Sequence, residues 1–123
     1  LISGLGILVV EDDADILRMV ATILEAAGAI VTCTQTGRQA IEIVRADDFD
    51  AIIVDWNLSD MPSGQSLGPL ADAKPQLKAR TLVITGELML SPEEHAAGSA
   101  GYSILAKPFR PAELRDAVTR LVA

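Results

Sequence analysis

Gly6-Ile7-Leu8-Val9-Val10-Glu11-Asp12-Asp13 passes directly from aliphatic residues to three consecutive acids. A strand with one face in water alternates apolar and polar residues, whereas a strand covered on both faces is apolar throughout. The run therefore reads as a buried parallel strand whose carboxyl end opens into an acidic loop. The same pattern recurs at Ala51-Ile52-Ile53-Val54, which runs into Asp55.

The segments around these two strands supply the connections that parallel strands need. Asp13 or Asp15 is placed to cap a helix with apolar Ile16, Met19, Val20, Ile23 and Leu24, ending at Gly28. Ile30–Thr34 reads as a second strand. Gly37 opens a helix with Ala40, Ile41 and Val44 on one face. After the strand at 51–54 comes a turn-rich loop, then a short helix over Gln65–Ala73 that contains Gly68-Pro69 and is ended by Pro75. Thr81–Thr85 is a fourth strand. Ser91-Pro92-Glu93-Glu94 reads as a helix cap with a first-turn proline and acids. Tyr102–Leu105 is a fifth strand, and a last helix runs from Pro111 with Leu114, Val118 and Leu121 in line. Five alternating βα units with right-handed crossovers predict an α/β fold. The expected form is a flavodoxin-like, doubly wound (βα)5 three-layer sandwich with parallel sheet order 2-1-3-4-5.

Composition narrows the function. At 123 residues the chain is expected to be one domain over 1–123, with 1–4 as linker. A formal charge of −7 opposes direct nucleic-acid binding, which depends on Lys and Arg neutralising phosphates. No apolar run approaches the roughly 20 residues of a membrane span. One cysteine, Cys33, and one histidine, His95, exclude an internal disulfide and a Cys/His zinc site. A reducing, cytoplasmic location is expected. No signal-peptide pattern is seen, and a start at Leu1 rather than methionine suggests a segment of a longer protein.

In a doubly wound sheet, ligands bind outside the carboxyl ends of the strands, at the switch point between strands one and three. Glu11, Asp12 and Asp55 fall there, with Thr85 at the end of strand four and Lys107-Pro108 after strand five. Three crowded carboxylates repel one another, and a hard, oxygen-seeking ion such as Mg²⁺ relieves that cost. With charge so masked, Asp55 can act as the nucleophile that forms an acyl phosphate. Lys107 would neutralise a phosphoryl oxygen, and Thr85 would donate to another.

Val9-Val10-Glu11-Asp12-Asp13, Asp55, Ile84-Thr85-Gly86 and Lys107-Pro108-Phe109, in this order and spacing, resemble the receiver domain of two-component response regulators and hybrid histidine kinases. The resemblance spans nearly the whole chain. It implies that Asp55 is phosphorylated by a phosphohistidine on a histidine kinase or histidine phosphotransfer domain. It implies further that Asp12, Asp55 and the Asn57 backbone carbonyl ligate Mg²⁺, with Glu11 acting through water. Thr85 matches the switch hydroxyl, Lys107 the phosphate-binding lysine, and Gly86 the small position that admits a donor. The fourth helix, fifth strand and fifth helix would form the output face, with a homodimer through it as one possibility.

Three departures from the family pattern stand out. Ile104 occupies the switch position that is usually aromatic. Gly64 lies nine residues after Asp55 rather than eight. Gly68-Pro69 and the stretch 98–101 predict short or irregular third and fourth helices. Two other functions stay open: a pseudo-receiver that docks or dimerises without phosphorylation, and a phosphohydrolase of the haloacid-dehalogenase type. The latter needs a second aspartate two residues after the nucleophile, where this chain has Asn57. Trp56 reads equally as packing or as a shield of the site. Cys33 reads as a small buried hydrophobe and His95 as a surface residue. Asp47, Asp48, Asp60, Glu93 and Glu94 read as solvated caps and turns, with Asp60 close enough in sequence to tune metal access.

Overall fold

The computed structural model describes residues 2–86 and 91–123. The elements are β1 (Gly6–Val10), α1 (Ala14–Ala26), β2 (Ile30–Thr34), α2 (Gly37–Ala46), β3 (Ala51–Asp55), α3 (Leu67–Ala73), a 3₁₀ segment (Pro75–Arg80), β4 (Thr81–Thr85), α4 (Pro92–Ser99), β5 (Ser103–Ala106) and α5 (Pro111–Val122). The five strands are parallel in the order β2-β1-β3-β4-β5, as expected.

The apolar strands serve two cores at once. Ile7 and Val9 of β1, Ala51 and Ile53 of β3, and Leu82 and Ile84 of β4 pack with Val20 and Leu24 of α1 and Leu114 and Val118 of α5. The alternate residues Leu8, Val10, Ile52, Val54 and Val83 pack with Ala40, Ile41 and Val44 of α2 and with Leu67 and Leu70 of α3. Side chains alternate across a strand, so a sheet covered on both faces requires an apolar residue at every position. No helix among the described residues is long and apolar enough to cross a membrane.

Helix α1 is capped by Asp13, whose carboxylate accepts from the N–H groups of Asp15 and Ile16. Past its end, Gly28 adopts φ +95°, and its N–H donates to the Glu25 carbonyl.

Several details differ from the sequence reading. Helix α3 opens at Leu67 rather than Gln65, which places Pro69 in the first turn, where it has no helical N–H bond to break. Helix α3 does end at Ala73, ahead of Pro75, and Pro75 then begins the 3₁₀ segment. Strand β5 lies one residue later than expected. Cys33 is exposed, because β2 is an edge strand with only Thr34 buried. Its thiol is raised above the usual range by partial desolvation and by the Glu25 carboxylate, which opposes thiolate chemistry. Ile2, within the expected linker, is 3% exposed and packs in the first core, while Gly4 N–H donates to the Gly28 carbonyl.

The Ser66 hydroxyl is buried and, among the described residues, has no hydrogen-bond partner. An unsatisfied buried hydroxyl carries a desolvation cost that an alanine avoids. Ser66→Ala is expected to raise stability by about 1 kcal/mol in urea unfolding; a loss of stability would show that the hydroxyl has a partner in solution.

Candidate functional site

Strand register assembles the site. Val10 is level with Val54, so Glu11 and Asp55 leave neighbouring strands at the same height. Thr85 is level with Ala106, so Lys107 follows one residue beyond. Carboxylate oxygens of Glu11, Asp12 and Asp55 lie within 4.8 Å of one another, a grouping that can hold a metal ion. Lys107 reaches into it, with Nζ 3.1 Å from Asp55 Oδ2 and 3.4 Å from Glu11 Oε1. The Lys107-Pro108 peptide is cis, and the Lys107 N–H donates to the Thr85 carbonyl.

The electrostatics follow from depth. Glu11 is 4% exposed and Asp55 7%. Burial, reinforced by the Asp55 carboxylate, pushes the Glu11 carboxyl up to about 8 against the opposing pull of Lys107. Burial alone would lower Lys107, but the bonds and charges of Asp55 and Glu11 outweigh it and hold its ammonium above the usual lysine range. One lysine therefore balances the acids incompletely, and a proton or a cation must supply the rest. Carboxylates with these oxygens exposed to one another fit a small, hard cation such as Mg²⁺.

The loop after β3 is braced from three sides. Asp55 Oδ1 accepts from the Asn57 N–H at 3.1 Å, and Asn57 Oδ1 accepts from the Ser63 N–H at 2.9 Å. Ser59 donates to Asp12 Oδ2 from its N–H at 2.8 Å and from its hydroxyl at 2.5 Å. Two successive residues of this loop are left-handed, Ser63 at φ 54° and Gly64 at φ 74°. A Cβ on Gly64 would lie 2.4 Å from the Trp56 ring. Trp56 is 7% exposed and belongs to the second core, which answers its two readings in favour of packing.

Two expectations about the acids change. Asp60 is committed to the start of α2, accepting from the N–H groups of Gly37 at 2.9 Å and Arg38 at 3.0 Å. Those bonds overcome partial desolvation and hold its carboxyl below the usual range. Glu94, read as a solvated cap, is instead 1% exposed, and its Oε2 accepts a hydrogen bond from Thr85 Oγ1. Glu93 and His95 are exposed. Ile104 is half-buried against the second core. Ser59 and Glu94 are the residues the sequence reading missed. The only signal for Glu94 was the Ser91-Pro92-Glu93-Glu94 cap itself.

The response regulator receiver domain profile matches residues 7–119, and the chain belongs to this family of two-component signal-transduction domains. The cell cycle response regulator CtrA of Brucella ovis is 28% identical over 108 residues, covering 88% of this chain and 46% of that protein. The chain thus spans about half the length of the curated relatives it matches. A CheY-like response regulator receiver domain protein from Methanospirillum hungatei superposes with a TM-score of 0.86 at 26% identity, over 98% of this chain and 94% of that one. The receiver domain of the sensor histidine kinase PA1611 from Pseudomonas aeruginosa, with magnesium coordinated in its active-site cleft, superposes with a TM-score of 0.85 at 26% identity, over 98% of both chains.

The raised Glu11 carboxyl has a consequence for stability. A carboxyl raised on folding contributes fully below its unfolded value and loses that contribution as pH rises through the folded value. EDTA-treated protein should melt at progressively lower temperature between about pH 5 and 8, and Glu11→Gln should flatten that decline; equal slopes would contradict the assignment. At the loop, Gly64→Ala should cost about 2 kcal/mol through its left-handed backbone and the Trp56 ring. Denaturant unfolding with unchanged stability would show that the loop yields.

Proposed function

We propose that this domain accepts a phosphoryl group on Asp55 from a phosphohistidine of a histidine kinase or histidine phosphotransfer domain. The observation that carries the reading is the buried Asp55 carboxylate, paired with Lys107 and flanked by Glu11 and Asp12 at the carboxyl edge of the sheet. In the transfer, a carboxylate oxygen bonds to phosphorus as the N–P bond breaks, and the imidazole leaves with the electron pair. Asp12, Asp55 and the Asn57 backbone carbonyl would hold Mg²⁺, with Glu11 through water. Bound there, the ion would supply charge neutralisation at the reacting oxygens. Lys107 is placed to carry a phosphoryl oxygen, and Thr85 to donate to another once its side chain turns toward Asp55.

An apolar hollow lined by Ile16, Met19, Gly86, Pro108 and Phe109 adjoins Lys107 and would offer the donor protein a surface next to the site. Among the described residues, nothing lies within 4 Å of a would-be Cβ on Gly86. The Asn57 side chain accepts the Ser63 N–H and offers no carboxylic proton, which disfavours a phosphohydrolase with sustained turnover. The domain therefore signals, with only its own phosphorylation and slow dephosphorylation as chemistry. Its output would pass through α4, β5 and α5, to an attached domain, a partner or a second copy, in the cytoplasm and without direct nucleic-acid contact.

Incubation with Mg²⁺ and acetyl phosphate should add one phosphoryl group by intact mass, and Asp55→Asn should abolish it. Lys107→Ala should slow the reaction about 100-fold. No adduct from the natural sequence with acetyl phosphate, phosphoramidate or a phosphohistidine donor would sink the reading.

A further inference from the structure

Thr85 and Glu94 are each 1% exposed, nine positions apart in the chain, and joined side chain to side chain. Thr85 has the same strand parity as Val83, whose side chain lies in the second core, whereas Asp55 has the parity of Ile53 in the first. The pleat therefore directs the Thr85 hydroxyl away from Asp55, toward the side on which Glu94 receives it. The same carboxylate closes the start of α4: Glu94 Oε1 accepts from the Ser91 N–H at 3.1 Å, and Ser91 Oγ accepts from the Glu94 N–H at 3.1 Å. One buried carboxylate thus ties the end of β4 to the first turn of α4. The bonds from Thr85 and Ser91 overcome desolvation and hold the Glu94 carboxyl below the usual range.

A hydroxyl has one proton to donate. While Thr85 gives it to Glu94, a phosphoryl oxygen on Asp55 cannot receive it. We propose that Glu94 is a positioning residue that holds the Thr85 hydroxyl away from Asp55 and passes its release to the N-terminus of α4. This rests on Asp55 being the phosphoacceptor. The usual aromatic reporter is replaced by Ile104, which packs close to Gly98 of α4 and has no polar tip to change partners. Glu94 supplies what that position lacks, a group that exchanges a bond when the site fills.

The test is a titration of the ¹⁵N-labelled full chain with beryllofluoride and Mg²⁺, following backbone amides. Glu94→Ala should tighten beryllofluoride binding about tenfold, because the competing bond no longer has to break. Amides of residues 91–106 in the free variant should move toward their bound positions. Glu94→Gln, which keeps the side-chain shape and one acceptor oxygen, should fall between. Ser91→Ala removes the cap but leaves the Thr85 bond, and should not tighten binding. In a Thr85→Val background, Glu94→Ala should have no further effect on affinity. Unchanged affinity in Glu94→Ala, or equal tightening in the Thr85→Val background, would overturn the proposal while leaving the phosphoacceptor reading intact. If beryllofluoride does not bind the natural sequence at all, that reading fails and the role of Glu94 falls with it.

Discussion

The Lys107 ammonium is the interaction on which the site depends. It bridges Glu11 after β1 and Asp55 at the end of β3 from its own place after β5. Without a cation between them, two nearly buried carboxylates on adjacent strands would repel at close range in a medium of low effective dielectric. With one, a single ammonium still faces three carboxylates, Glu11, Asp12 and Asp55, and that deficit gives a metal ion a reason to bind.

Strand register turns this local electrostatics into a property of the fold. The pairing of Val10 with Val54 and of Thr85 with Ala106 brings residues far apart in sequence to one edge. Sliding any strand by one residue would transfer its side chains to the other face, which both packed cores forbid. The apolar residues of β1 and β3 thus set the positions of Glu11 and Asp55 as firmly as any direct contact at the site.

Register and burial also separate what the sequence makes legible from what it does not. Uninterrupted apolar runs ending in acids identify buried parallel strands and, with them, the edge where Glu11, Asp12 and Asp55 gather. The reading of Cys33 as a buried hydrophobe fails because its strand is an edge, which Ile30 at 66% exposure and the two threonines of Ile30–Thr34 mark. Glu94 was misread because the capping pattern is local, whereas its burial comes from the approach of α4 to the end of β4. The height of the Glu11 carboxyl was likewise invisible, since it depends on depth and on neighbours from other strands. That Asp60 serves the start of α2 is not legible locally, because that helix lies 23 residues earlier in the chain.

The bracing of the loop after β3 gives the pocket two unlike walls. On one side, Ser59 is bonded to Asp12, Asp60 to the start of α2, and the Met61 sulfur would lie 2.7 Å from a Cβ on Gly37, so the loop is bonded and packed against the helix. On the other, the end of β4 is fastened to α4 through exchangeable side-chain bonds. If Asp55 is phosphorylated as proposed, the added charge faces a packed contact toward α2 and an exchangeable hydrogen bond toward α4, so the proposed response runs toward α4.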